Sequence, residues 1–201
     1  MRMVHQRGYN DAFDTYSFRI HETNMAIFNA KTTDQFAYIF QKYGEHITDY
    51  QISHSFYIIG FHKFDKNDAF WKVIYPLAKK QLATLDRNCT RSLCELIGGA
   101  SELTIQDNEF WEMVEQKLVD ERLYRYLTLE QLTKTLSFMS NVGRGSDELI
   151  DVVEKTLIKH RKSLTPEIIA YAREGFVRIN KGSEILFKVL EDPNVQLPAL
   201  E

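Results

Sequence analysis

A short pattern of polar, acidic and apolar residues recurs five times along the 201-residue chain, and its spacing limits the possible folds. Its two clearest copies, at positions 67–73 and 107–113, each place a Phe-Trp pair after acidic and amide side chains. The first apolar residues of the five copies are 34, 40, 39 and 36 positions apart, and they are Phe36, Phe70, Phe110, Leu149 and Ile185. Intervals of this length are typical of two-helix solenoid repeats.

A second pattern lies between these anchors and predicts where the partner helix of each unit begins. It is an apolar residue followed by a helix-capping residue, and the four caps are Thr48, Asp86, Thr128 and Thr165. Thr128 and Gln131 have the spacing of a capping box, in which the threonine oxygen accepts a backbone N–H and the glutamine bonds back. Pro166 follows Thr165 at the first helical position, where its missing N–H costs nothing.

The two patterns predict an all-α fold, namely an α-solenoid of about four helix-pair repeats with N- and C-terminal capping helices. We expect one domain over residues 1–201, with an N-terminal arm and capping helix at 1–33, repeats at 34–190 and a tail at 191–201. The capping helix is predicted from Asp14 to about Asn29. Pro76 lies within a first helix, where proline can bend the chain. With only 4 prolines and 9 glycines, the chain lacks the turns of an all-β sandwich.

Small residues recur within the predicted second helices. They lie twelve positions after the cap in three units, at Gly60, Gly98 and Ser140, and ten positions after it in the fourth, at Gly175. A glycine inside a helix costs about 1 kcal/mol relative to alanine, so its recurrence needs a structural reason. We therefore expect adjacent second helices to approach closely at these positions.

The charge balance argues against a protein whose task is to bind phosphates. The net charge is -3 and the pI is about 6.1, whereas nucleic-acid-binding domains usually carry a basic excess. Basic residues do cluster, at Lys79 with Lys80, Arg87 with Arg91, positions 159–162, and Arg173 with Arg178 and Lys181. We interpret these clusters as solvated or salt-bridged helix surfaces, with a nucleic-acid track as the alternative. No apolar run approaches the length of a membrane span.

The reactive side chains do not form a recognisable catalytic or metal-binding pattern. None of the six histidines has His-Glu-x-x-His spacing, and an enzyme would need a pocket that gathers His46, His54 or His62 with carboxylates. The acidic residues lie at predicted helix starts, where the helix dipole favours negative charge. They are Asp34, Asp68, Glu109, Asp147, Glu148 and Glu184. We predict no catalytic, cofactor-binding or metal-binding residue, no cofactor and no small-molecule substrate.

Two further residue pairs have alternative interpretations. Cys89 and Cys94 lie off a common face of one predicted helix, so we expect buried free thiols, which suit a reducing intracellular compartment.

Trp71 and Trp111 occupy the same place in consecutive units. We expect them to pack between repeats with their indole edges exposed, and stacking on RNA bases is the alternative.

The helix pairs resemble the octotricopeptide, heptatricopeptide and FAST-kinase-like repeats of organellar proteins. The residues that carry the resemblance lie at 127–132 and 164–169, and the similar region spans about residues 34–190. The resemblance implies action on mitochondrial or chloroplast RNA, or service as an accessory subunit of a mitochondrial assembly. This chain differs from the RNA-binding members in its four units, its acidic balance and its lack of a repeating base-reading pair in the second helices.

These observations predict a non-catalytic helical-repeat scaffold or accessory subunit of a larger assembly in the mitochondrion. Its partners are expected to be protein subunits, and no membrane span is predicted. The first ten residues contain Arg2 and Arg7 but no acidic residue, a composition that suggests an organellar import segment. Without import, the expected location is the cytoplasm. The alternative function is organellar RNA binding in RNA processing or translation.

Overall fold

A computed structural model describes residues 19–196, and all regular structure in this part of the chain is helical. The predicted all-α fold is thus confirmed, whereas the suggested import segment and positions 14–18 of the predicted capping helix lie outside the described residues. The helices are α1 (19–29), α2 (Thr33–Tyr43), α3 (Asp49–Phe61), α4 (Tyr75–Thr84), α5 (Thr90–Glu102), α6 (Asn108–Glu115), α7 (Leu129–Asn141), α8 (Asp147–Lys159), α9 (Pro166–Arg178) and α10 (Glu184–Glu191). Among them, none is long and apolar enough to cross a membrane.

Three of the four predicted caps start their helices. Thr48 and Thr128 each form a capping box with the glutamine three residues on. At Thr128, the hydroxyl oxygen accepts the Gln131 N–H at 3.1 Å, and the Thr128 N–H donates to Gln131 Oε1 at 2.9 Å. Thr165 caps α9, which begins at Pro166. These local signals therefore predict the starts of α3, α7 and α9 correctly.

The predicted cap at Asp86 is wrong. Its carboxylate accepts the N–H of Asn88 at 2.8 Å, and its backbone oxygen accepts the N–H of Cys89 at 3.0 Å. These two bonds close a turn, so the cap lies three residues later than predicted, at Cys89, and α5 begins at Thr90. Cys89 lies at the cap position and makes no side-chain capping bond.

The entry into α4 contains a π-helical turn, Phe70–Ile74. Asn67 Oδ1 accepts the Phe70 N–H at 3.1 Å, and the Tyr75 N–H bonds to the Phe70 oxygen five residues back. The next residue, Pro76, has no N–H to donate, so the wider turn sacrifices no further α-helical bond there. A second π-helical turn, Gln116–Asp120, extends α6.

The helices alternate between two rows that enclose a common apolar core. In the second-helix row, α3 packs on α5, α5 on α7 and α7 on α9. Helix α1 joins this row beside α3, where Gln51 Nε2 donates to Asn24 Oδ1 at 2.8 Å. The first-helix row contains α2, α4, α6, α8 and α10, with contacts between successive members or their π-helical turns.

The predicted anchors of the first-helix row are buried, with one exception. Phe36, Phe70, Phe110 and Leu149 have no exposed surface. Phe70 and Phe110 have related surroundings, since each meets the following tryptophan edge-to-face and each lies about 6 Å from the Tyr75 ring. The anchor at Ile185 is wrong: Ile185 is 36% exposed, and its neighbour Leu186, third after the Ser183 cap, is the buried residue.

Glycines permit the close approach of second helices that their recurrence predicts. A Cβ added at Gly60 would lie 2.7 Å from the backbone oxygen of Gly99, and one added at Gly175 would lie 3.1 Å from Leu136. Gly99, one residue after the predicted Gly98, faces Gly60. Ser140 is buried, and its hydroxyl donates to the Ser137 backbone oxygen of its own helix.

Candidate functional site

Side chains from α3, α5, α7 and α9 converge on the partly exposed surface of the second-helix row. At its centre, the rings of Tyr57 and Phe138 meet edge-to-face, with centroids 6.4 Å apart. They reach each other across the intervening α5 because Gly98 has no side chain, and a Cβ there would lie 2.9 Å from Tyr57 and 3.0 Å from Phe138. The Tyr57 and Phe138 rings therefore connect α3 to α7 across α5 at this surface.

We call this surface the second-helix face. It is defined by Tyr57 on α3, Glu95 and Glu102 on α5, Lys134 and Phe138 on α7, and Tyr171 on α9. The charges of these residues act on one another. Burial raises the pKa of Tyr57, and the neighbouring Tyr171, Glu102 and Glu95 raise it further, while Lys134 opposes the rise. The Tyr57 hydroxyl is therefore neutral at physiological pH and can donate a hydrogen bond.

A cation covers a tyrosine ring at two places around this face. The Arg91 guanidinium lies 4.7 Å from the Tyr50 ring centre, and its Nε is 3.1 Å from a Glu95 oxygen. The Lys134 ammonium lies 5.0 Å from the Tyr171 ring centre. It also bonds to Glu130 of α7 at 2.6 Å and to Glu167 of α9 at 3.2 Å.

Ion pairing dominates the protonation of Lys134. Partial burial lowers its pKa, but the bonds to Glu130 and Glu167 outweigh burial and hold the pKa above its ordinary value. Lys134 therefore stays charged at physiological pH. Its contacts join α7 to α9 across the face, alongside the bond from Ser137 Oγ to Glu174 at 3.0 Å.

The histidines that the sequence offered as candidates have separate surroundings. His54 stacks on Tyr50 with centroids 5.3 Å apart, and its Nδ1 is 3.4 Å from Glu95. His46 bonds to Arg19, and His62 stacks on Phe64. Within residues 19–196, no group of three or more His, Cys, Asp or Glu side chains is placed to hold a metal ion.

The basic clusters are partly salt-bridged helix surfaces, as predicted. Lys79 bonds to Asp107 at 2.8 Å and to Glu109 at 2.7 Å. Arg178 pairs with Glu174 of its own helix at 2.8 Å. Lys181 lies 3.3 Å from Asp147. Ion pairs are thus present on helices at Lys79, Arg91 and Arg178, and in the loop before α10 at Lys181.

The two tryptophans differ although they occupy equivalent positions. Trp111 is 1% exposed, and its Nε1 donates to the backbone oxygen of Ile105 at 2.8 Å. Trp71 is 46% exposed and meets Tyr75 edge-to-face. The predicted exposed indole edge is therefore wrong for Trp111, because the loop before α6 supplies an acceptor that holds the ring inside. Both tryptophans belong to the first-helix row.

Both cysteines are free thiols, as predicted, but only one belongs to a helix. The sulfur of Cys94 is enclosed by α7, 3.4 Å from Thr135 Oγ1 and 3.9 Å from the Gln131 oxygen. Burial raises the pKa of Cys94 to about 11, so its thiol is protonated and unreactive at physiological pH. Cys89 is half-buried in the turn before α5.

A cleft of about 470 Å³ on the first-helix row is lined by carboxylates of α6 and α8 and by Arg144. One of these carboxylates has a structural role: Glu115 accepts the Ser146 N–H at 2.8 Å and the Ser146 hydroxyl at 3.0 Å, which ties α6 to the start of α8.

The sequence matches no protein-family model and no curated protein closely enough to assign a relative. Sequence reasoning missed Tyr57, Phe138 and Tyr171, which lie 9, 10 and 6 positions after the caps of their helices and so share no repeat position. The one sequence signal was Gly98, whose lack of a side chain lets the first two rings meet.

Proposed function

We propose that the protein is a non-catalytic helical-repeat scaffold or accessory subunit that binds a protein partner on the second-helix face. The observation that carries this proposal is the meeting of Tyr57 and Phe138 over Gly98, beside Tyr171 and Lys134. Partly exposed aromatic rings surrounded by polar groups are enriched where partners bind. Rings held in fixed contact also lose little conformational entropy on binding.

We further propose that the two rows form an α-solenoid within one domain. Its four helix pairs would be α2–α3, α4–α5, α6–α7 and α8–α9, with α1 and α10 as the capping helices. The contacts within each row and the buried anchors at Phe36, Phe70, Phe110 and Leu149 support this arrangement. Solenoids commonly use the continuous surface of one helix row for binding, which matches the position of the second-helix face.

RNA binding is the alternative function, because single-stranded bases stack on exposed aromatic rings. Charge disfavours it on the second-helix face. The cations nearest the rings, Arg91 and Lys134, are already paired with Glu95, Glu130 and Glu167. An electrophoretic shift that is strong at about 50 mM salt and lost at about 200 mM would support RNA binding, since phosphate contacts depend steeply on salt.

The organellar location is also a proposal. It is supported by the repeat resemblance at residues 127–132 and 164–169 and by the acid-free composition of residues 1–10. Fractionation of cells that express the full chain with a C-terminal tag tests it. Recovery with mitochondria supports the proposal, and recovery only in the cytosol contradicts it.

The docking proposal is tested by affinity purification of the tagged full chain from fractionated cells, followed by quantitative mass spectrometry. The test variant combines Tyr57→Ala with Phe138→Ala, and the control is Lys72→Ala, an exposed residue of the first-helix row. We expect the proteins recovered with the unmodified chain to fall about tenfold with the test variant, as for interface hot spots, and to persist with the control. Circular dichroism checks that each variant is folded.

If the test variant and the control variant recovered the same proteins in equal amounts, that result would contradict a docking role for the second-helix face.

A further inference from the structure

We infer that the second-helix face receives an arginine or lysine side chain of the partner, which lies over the Tyr57 ring and pairs with Glu102. This inference rests on the proposed docking function and adds the chemistry of the bound segment. A partner segment with several basic residues satisfies it.

The chain itself contains two completed versions of this arrangement. Each combines a tyrosine ring, a cation above it and a carboxylate that pairs with the cation. The first is Tyr50 with Arg91 and Glu95, and the second is Tyr171 with Lys134 and Glu167. Both belong to the second-helix row, the first between α3 and α5 and the second between α7 and α9. Cations over aromatic rings are stabilised by the negative face of the ring, and a nearby carboxylate adds to that attraction.

Tyr57 and Glu102 supply two parts of a third arrangement. Glu102 packs against α3 at Gly60, one helical turn after Tyr57. A Cβ added at Gly60 would lie 3.2 Å from the Cβ of Glu102. Within residues 19–196, Glu102 has no ion pair or side-chain hydrogen bond. Lys66 reaches the adjacent residue but donates to the backbone oxygen of Leu103 at 2.7 Å. The Glu102 charge acts on Tyr57, and within residues 19–196 no cation lies over the Tyr57 ring or forms an ion pair with Glu102.

The charge around the face favours a cationic partner. The carboxylates on and next to the face are Glu95, Glu102, Glu130, Glu167 and Glu174, and the cations are Lys66, Arg91, Lys134 and Arg178. A purely apolar partner would remove water from Glu102 without replacing the lost hydrogen bonds, which is costly. A basic side chain compensates that carboxylate, and its aliphatic stem packs on the Tyr57 and Phe138 rings.

Fluorescence anisotropy tests the inference with the intact protein and fluorescein-labelled octa-arginine as the probe. Labelled octa-glutamate and a labelled single-stranded RNA are the comparison ligands. The variants are Glu102→Gln, which removes the charge but keeps the shape, and Tyr57→Leu, which removes the ring. Glu112→Gln is the matched control, because Glu112 is an exposed carboxylate in the first-helix row. Thermal melting checks that every variant is folded.

We expect octa-arginine to bind, with a Kd about fivefold higher for Glu102→Gln and for Tyr57→Leu, as for loss of one cation–π or ion-pair contact. The Kd of Glu112→Gln should equal that of the unmodified protein. Equal weakening by both glutamine substitutions would overturn the inference, because it would mean general attraction to an acidic protein. Binding of the RNA in place of octa-arginine, or no effect of Glu102→Gln, would also overturn it.

These outcomes are separable from failure of the docking function itself. The first case is that recovery of proteins from cells depends on Tyr57 and Phe138, but the Kd for octa-arginine does not change with Glu102→Gln. That result would support the docking face and contradict the cation site. If recovery of proteins from cells does not depend on Tyr57 and Phe138, the proposed docking function is contradicted.

Discussion

At the crossing of α3 and α5 the two backbones are in contact, because glycines stand where side chains normally separate helices. A single added carbon atom would therefore clash there. A Cβ added at Gly99 would lie 2.7 Å from Phe56 Cδ1 and 2.8 Å from the Phe56 backbone oxygen. Phe56 is fully buried and stacks on Phe70, so its ring has little freedom to move away. The clash with the backbone oxygen can be relieved only by separating the two helices.

Gly99→Ala is therefore expected to lower the free energy of unfolding by about 1–3 kcal/mol, the usual cost of overpacking a core. Urea denaturation followed by circular dichroism measures the change. The control is Gly44→Ala, where nothing lies within 4 Å of the added Cβ and the φ angle is negative. We expect the control to be neutral or slightly stabilising. Equal stability of the two variants would refute the close contact.

Asp107 joins α4 to the start of α6 through charge. Its carboxylate accepts bonds from the Lys79 ammonium and the Tyr75 hydroxyl, both at 2.8 Å, and from the Glu109 N–H at 2.9 Å. The Lys79 bond is the main cause of the lowered pKa of Asp107. The folded state therefore binds a proton less readily than the unfolded state at this position. Its contribution to stability is complete above the unfolded pKa, about 3.9, and is lost as pH falls through the lower folded pKa.

Asp107→Asn keeps a capping side chain but removes the charge, so we expect a loss of about 1 kcal/mol at pH 7. The difference from the unmodified protein should shrink as the pH falls below about 4, where the aspartate itself becomes protonated. Urea titrations at pH 7 and at pH 3 measure it. Asp68→Asn is the control, because its pair with Lys72 is exposed and worth little. A pH-independent difference would contradict the charge-based explanation.

At the scale of a helix, the capping boxes are the most local determinants of the fold. Thr128→Ala removes the acceptor for the Gln131 N–H and is expected to cost about 1 kcal/mol, whereas Thr128→Ser keeps the oxygen and most of the stability. Urea denaturation compares the two variants, and hydrogen exchange of the Gln131 amide localises the effect. If serine and alanine were equally destabilising, the threonine methyl group, not the cap, would be responsible.

Helix starts were predictable where the signal lies within four residues. Thr48, Thr128 and Thr165 bond to N–H groups three residues on, so their sequence alone contains the interaction. Asp86 has the same residue preference, but its side chain closes a turn with Asn88 instead. The sequence does not distinguish these two uses of an aspartate, because both satisfy a nearby backbone N–H.

Contacts between helices were predictable only in part. The recurrence of Gly60 and Gly175 indicates close packing without naming the neighbour. The meeting of Tyr57 and Phe138 depends on the relative register of three helices, which a short pattern does not contain. The different fates of Trp71 and Trp111 depend likewise on whether a loop oxygen lies within reach of the indole N–H.

For the whole molecule, contacts run mainly between neighbouring helices of each row. If the proposed solenoid is correct, a substitution at one end should act independently of one at the other end. We expect Gly99→Ala in α5 and Leu190→Ala in α10 to be additive within about 0.5 kcal/mol. A double-mutant cycle by urea denaturation measures the coupling.

Gly99→Ala combined with Phe56→Leu is the matched comparison, because these two residues touch. We expect their effects to couple by about 0.5 kcal/mol or more, since the smaller side chain gives the added methyl group room. Strong coupling between α5 and α10 would instead indicate one undivided cooperative core.

Both indole rings lie on the same side of the protein, one half-exposed at Trp71 and one enclosed at Trp111. Intrinsic fluorescence therefore observes that side alone, and a small quencher such as acrylamide should dim Trp71 while leaving Trp111 bright. A ligand that settles on the opposite side would leave this emission unchanged. A shift in emission wavelength during complex formation would indicate that the bound molecule also reaches the first-helix row.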